Sequence, residues 1–173
     1  MGNGHRNENS NIYYQARKNA ALFNERLYSR EKASEIIGVS ESQLASYELG
    51  NTKSVPPDKV NIMADIYNRP DLKTHYCKNE CPLGKNLPIA TEIRTIEQIA
   101  LHMFKSMKLT NMDAIKEQLI EIAADGEVTQ EEMKMLLDIS MKLHEMAEAI
   151  SSVKLLVDKL KNGGIENGME DSV

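Results

Sequence analysis

The chain has no tryptophan, only two cysteines, and aromatic residues make up just 5% of it. So few large rings argue against β-sandwiches and barrels, whereas the abundant Met, Leu, Ile, Ala, Glu and Lys suit packed helices. Two cysteines cannot make a disulfide framework. No apolar run approaches the roughly 20 residues of a membrane span. The opening "MGNGHRNENSN" lacks the apolar core of a secretory signal, and Arg6 stands where a myristoylation motif needs Ser or Thr. The expectation is an all-α, cytoplasmic protein with no membrane partner. At 173 residues and 41% hydrophobic content it can form one or two small cores.

Excess positive charge is also missing, since the net charge is −5. The balance is uneven along the chain. Up to Pro70 there are nine Lys or Arg against eight Asp or Glu, and the remainder carries 12 against 18. The acidity therefore belongs to the C-terminal part, and a nearly neutral N-terminal part can still meet phosphates with a few placed cations.

Four short helices are legible before residue 70. The run "YYQARKNAALFNERLY" puts Ala16, Ala20, Phe23 and Leu27 on one face. Ser29 caps a second helix whose apolar side is Ala33, Ile36 and Ile37, and Gly38 ends it. Ser40 caps a third with Leu44 and Tyr47 inward and Glu41, Ser42, Gln43, Ala45 and Ser46 outward. After Gly50 and a loop, Val60, Met63, Ala64 and Tyr67 line one face of a fourth. The turn between the second and third is too short for an antiparallel hairpin, so these two should cross steeply.

The stretch "SREKASEIIGVSESQLASYELGNTK" with the apolar helix behind it resembles the helix-turn-helix domain of the phage repressor and Cro group, the XRE family. The likeness spans roughly residues 15 to 70 and rests on Ala33, Gly38, Val39, Ser40, Leu44, Tyr47, Glu48 and Gly50. It implies a lambda-repressor-like fold whose third helix enters the major groove of double-stranded DNA. Glu41, Ser42, Gln43 and Ser46 would then face base edges, and Arg30, Asn51, Thr52 and Lys53 would contact phosphates. Two positions depart from the family. Arg30 stands where a Gln is usual, and Phe23 stands where members carry an arginine that pairs with the equivalent of Glu48. Arg26 is left as the candidate partner of Glu48.

The segment "DLKTHYCKNECPLGKNLP" holds both cysteines. It reads first as a docking segment with two ordinary thiols. The sharper reading is a metal or redox site made by His75, Cys77 and Cys81, one ligand short of a closed zinc site. Regulators of the same type from Gram-positive bacteria and their mobile elements carry a similar "YCKNECP" stretch, which supports this domain order.

From Pro88 the pattern changes to long helices, with Ile89, Ile93, Ile96, Ala100, Met103 and Met107 on one face and Met112, Ile115, Leu119 and Ile122 on the next. Thr129 and Glu132 form a capping box for a last helix. Its Leu136, Ile139, Leu143, Met146, Ile150, Val153, Val157 and Leu160 make a heptad seam, read here as a homodimer interface in a bundle or coiled-coil module. The organisation expected is a flexible N-terminus (1–11), a DNA-binding domain (12–72), a cysteine-containing linker (73–88), a helical oligomerisation or partner-binding domain (89–162) and a disordered tail (163–173).

No catalytic constellation assembles, and neither an enzyme activity nor a cofactor is expected. His144-Glu145 lacks a second His, with Glu148 in its place, "ADGEVTQEE" lacks the alternating carboxylates of a calcium loop, and "PLGKN" lacks the residues of a phosphate loop. His102 has no nucleophile or carboxylate partner in the pattern. The reading is a sequence-specific transcriptional regulator, a dimeric repressor of the kind mobile elements carry. The alternative is an adaptor whose acidic C-terminal helices bind another protein while the N-terminal domain autoregulates.

Overall fold

Side-chain caps place most of the helix boundaries in the computed structural model, which describes residues 11–162. The expected flexible start and disordered tail lie almost wholly outside that range. Among the described residues the chain is all helical, with eight α-helices, a single 3-10 turn and no strand. None of these helices is long and apolar enough to cross a membrane.

Helix α1 (Ile12–Ala21) starts where the Asn11 side chain accepts from the Tyr13 and Tyr14 amides. It stops well before Tyr28, contrary to the single helix expected there. The Asn24 side chain accepts from the Arg26 amide and opens the separate 3-10 turn Glu25–Leu27, the local competition by which Asn breaks helices. The predicted face is broken with it, since Leu27 is fully buried and Phe23 is 93% exposed.

Ser29 accepts from the Lys32 amide to open α2 (Arg30–Ile37), and Gly38 closes it at φ 73°. The Gly38 and Val39 amides return to the Ser34 carbonyl, at 2.9 and 3.0 Å, an αL end that glycine takes without a Cβ penalty. Helix α3 (Glu41–Glu48) follows two residues later. Its capping box has Ser40 accepting from the Gln43 amide while the Gln43 side chain accepts from the Ser40 amide.

Pro57 opens α4 (Pro57–Ile66) from its first turn, where its missing N–H costs no helical bond. Helix α5 (Asp71–Asn79) then occupies much of the segment expected to be a linker. Leu72 is fully buried, and Tyr76 packs on the same cluster. That cluster, with Leu27, Ile37, Leu44, Val60, Met63 and Tyr67, is the core of α1 to α5. Burying each large aliphatic chain contributes about 1.5–3 kcal/mol.

The described residues divide into two compact units, one of 11–87 with 157–162 and one of 88–156. The second holds α6 (Ile96–Leu109), capped by Thr95 with Gln98, α7 (Met112–Ile122), capped by Asn111, and most of α8 (Gln130–Asn162). The Thr129–Glu132 box is present, with the Thr129 amide 2.8 Å from Glu132 Oε2 and the Glu132 amide 3.3 Å from Thr129 Oγ1. Helix α6 starts seven residues later than the apolar pattern that begins at Ile89, so Ile89 and Ile93 precede it. Its buried side chains are Ile99 and Ser106, neither of them in the apolar pattern, while Ile96 and Met107 are exposed. In α7, Ile115 and Ile122 are buried as the pattern requires, but Met112 and Leu119 are not.

Candidate nucleic-acid interface

The outward face of α3 is built of small polar groups over a fixed base. Leu44 and Tyr47 anchor it in the core, and Glu48 is fully buried. A buried carboxylate needs a cation, and Glu48 has two. Arg17 on α1 donates from Nε to Glu48 Oε1 at 2.5 Å and from Nη2 to Oε2 at 2.9 Å, and Arg30 donates from Nε to Oε2 at 2.7 Å. Arg17 Nη1 also reaches the Leu27 and Tyr28 carbonyls, at 3.0 and 2.9 Å. One guanidinium thus ties α1, the 3-10 turn and α3 together. The partner of Glu48 is Arg17, not Arg26, which sits exposed on the short turn.

Of the base-reading candidates, Glu41, Ser42 and Gln43 are exposed and Ser46 is half-buried. Gln43 Oε1 is engaged by the Ser40 amide at 3.0 Å, so in the capped state its amide nitrogen is the end left for another partner. Ser42 Oγ lies 3.0 Å from Ser40 Oγ. Ser46 Oγ lies 3.0 Å from Thr52 Oγ1, which joins the helix to the loop that carries exposed Asn51 and Lys53. The phosphate candidates therefore fall in two places, the loop residues together and Arg30 apart from them, at the start of α2.

Around Arg30 the structure gathers residues the sequence reading missed. Tyr14, Arg17, Lys18, Tyr28, Arg30 and Glu41 line a depression of about 280 Å3. Lys18 Nζ sits 4.4 Å from the centre of the Tyr28 ring and 5.9 Å from that of Tyr14, and the Arg30 guanidinium is 6.0 Å from the Tyr14 ring. Aromatic faces hold both cations beside the N-terminal end of α3. The available sequence signal was Tyr14 and Lys18 one helical turn apart, but their meeting with Tyr28 needs the chain reversal at Asn24.

Helix α5 braces the loop from behind. Glu80, just past its end, accepts from the Tyr13 hydroxyl at 2.5 Å and from the Val55 amide at 2.8 Å. Burial and the Glu80 carboxylate push the Tyr13 phenol far above its ordinary value, so the hydroxyl remains a donor. Beside them a cleft of about 450 Å3 is lined in part by Thr52, Lys53, His75 and Asn79. Burial holds the His75 imidazole below its ordinary value of 6.5, against the opposing pull of Glu80 and Asp71. Protons thus prefer the unfolded chain. His75 therefore costs the first unit no stability above about pH 6.5 and lowers it as pH falls from there towards the lower folded-state value. His75→Gln is expected to flatten that slope, read as the urea midpoint against pH. An unchanged slope would rule out His75 as its source.

Comparison with protein-family models, curated proteins and solved structures returns no match.

Among the described residues no three of His, Cys, Asp and Glu gather closely enough to hold a metal, so His75, Cys77 and Cys81 do not converge on one ion. His75 Nδ1 instead lies 3.1 Å from Asn79 Nδ2. Cys77 and Cys81 are half-buried free thiols. The chain after them folds back tightly enough that a Cβ on Gly84 would lie 1.8 Å from the Cys77 carbonyl oxygen.

The predicted seam of α8 is divided. Ile139 is buried and Leu136 and Met146 are half-buried, while Leu143, Ile150, Val153, Val157 and Leu160 remain exposed. The other buried positions of the helix are Ala149, Ser152 and Leu155, which lie on a different face from Ile139. The later part of the seam is therefore a stripe that the single chain leaves uncovered.

Proposed function

We propose that the chain is a sequence-specific DNA-binding regulator with a helix-turn-helix, α2 and α3, and that α3 reads the major groove. The observation that carries this reading is the seating of α3: a short, capped helix held from beneath by the buried Arg17–Glu48 pair. Small polar side chains face outward from it, and cations stand on either side, Lys18 and Arg30 at one end and Lys53 at the other. Phosphate contacts set register and base-edge contacts set specificity. Gln43→Ala and Ser46→Ala should therefore change which sequences are preferred. Lys53→Gln and Lys18→Gln should weaken binding to all sequences alike, each lowering the salt-dependence slope by about one. Binding curves for these variants on a preferred and a scrambled duplex check this, and uniform loss from both kinds of change would sink it.

The same proposal makes the regulator a homodimer that blocks transcription by occupying two half-sites about one DNA turn apart. The exposed stripe from Leu143 to Leu160 supports a second copy pairing along α8. One observation also favours the adaptor reading. Between Pro88 and Leu156 more large apolar side chains are exposed than buried, Leu101, Phe104 and Ile120 among them, and a surface of that kind marks an interaction site. A monomeric mass in solution would favour another protein as the occupant. A dimer whose mass falls when the α8 stripe is broken would favour the second copy.

A further inference from the structure

One cavity of the first unit has walls suited to a ligand and takes no part in the surface proposed to read DNA. It encloses about 540 Å3, within the range of small-molecule sites. Asn19 and Ala20 of α1 line it, with Phe23 and Asn24 behind them, Ile66 to Arg69 from the joint between α4 and α5, and Lys159 and Asn162 from the last turn of α8. No acidic side chain is among these walls, whereas two are cations.

The hydrogen-bond inventory of the walls is incomplete. Asn68 Oδ1 and Tyr67 Oη are buried and have no partner among the described residues, a state that folded proteins rarely tolerate without a bound group. Asn68 Oδ1 can only accept, so it needs a donor. Arg69 gives Nε and Nη2 to Asp71, at 2.8 and 2.6 Å, and these bonds do not use Nη1. Lys159 Nζ donates to the Asn68 carbonyl, one of the three bonds an ammonium can make. Phe23 stands 93% exposed at this cavity, and with Ala20 and Ile66 it offers an apolar wall.

We propose that this cavity binds the carboxylate of an N-acylated apolar amino acid, either as a free small molecule or as the C-terminus of a peptide. The carboxylate meets Lys159 and Arg69, the adjacent amide N–H donates to Asn68 Oδ1, and the apolar side chain covers Phe23. The assignment is independent of DNA reading.

The test is a titration of the full-length protein followed by amide NMR shifts, with three probes: N-acetyl-L-phenylalanine, its C-terminal amide, and the tetrapeptide acetyl-Gly-Ser-Ser-Phe as a free acid. Saturable shifts at Ala20, Asn24 and Asn68 are expected with the acids, and the amide should bind at least about tenfold more weakly. Tetrapeptide binding at least about tenfold weaker than that of N-acetyl-L-phenylalanine assigns the site to free acyl amino acids, and equal or tighter tetrapeptide binding assigns it to a peptide end. Asn68 has φ 49°, so Asn68→Gly removes the side-chain oxygen while keeping a backbone glycine accepts. That variant and Lys159→Gln should each cost about tenfold in affinity and leave DNA binding unchanged. Lack of saturable shifts at millimolar probe, equal binding of the amide, or undiminished binding in both variants would overturn the assignment.

Discussion

Replacing Arg17 by Met is expected to destabilise the first unit by about 3–5 kcal/mol, the usual cost of removing one member of a buried ion pair. Arg17 and Glu48 side chains are only 2% and 0% exposed, so neither charge can fall back on water. The substitution would leave Glu48 with Arg30 alone and strip the Leu27 and Tyr28 carbonyls of a donor. Arg30→Met should cost far less, about 1 kcal/mol or under, because the Arg30 side chain is 27% exposed and solvent screens its pairing. The measurement is convenient in this chain. Its six tyrosines all lie between residues 13 and 76, so tyrosine fluorescence in urea reports the first unit and is silent on the second. Equal, small shifts for the two variants would show that the pair is not what holds α3 in place.

The second large effect is expected from charge placed on the uncovered stripe of α8. Leu143 is 37% and Ile150 is 54% exposed, so Leu143→Glu with Ile150→Glu costs the single chain little and costs an apolar interface heavily. Sedimentation should give a mass of 19.5 kDa for the double variant and about twice that for the parent. Affinity for a duplex with two half-sites should fall about 100-fold or more, because the second recognition event loses its effective concentration. Affinity for a single half-site should not change. A dimer that survives both substitutions would move the interface to another face.

What was legible in the sequence was local. Ser29, Gly38, Ser40 and the Thr129–Glu132 box each act within one helical turn, and each sits where the pattern placed it. What was not legible depended on long-range partners. Phe23 matched a helical face only as long as α1 was assumed to continue, and a single Asn side chain at position 24 decided otherwise. Arg17 gave no sign of being interior until Glu48, 31 residues away, was seen to share its burial. Leu72 and Tyr76 belonged to a segment marked by its cysteines, yet their apolar groups draw α5 onto the first core. The α8 seam is a period of apolar residues, and periodicity records spacing and not which stretch the chain itself covers. Ile139 and Val153, two heptads apart, hold equivalent places in that pattern, yet Ile139 is buried and Val153 is exposed.

Base reading by α3 is checked by selecting bound duplexes from a random DNA pool with parent and Gln43→Ala side by side. A reading helix gives one enriched motif for the parent, repeated as two half-sites about one turn apart, and an altered preference at one position of each half-site for the variant. No enriched motif for the parent, or an identical motif for both proteins, would contradict it.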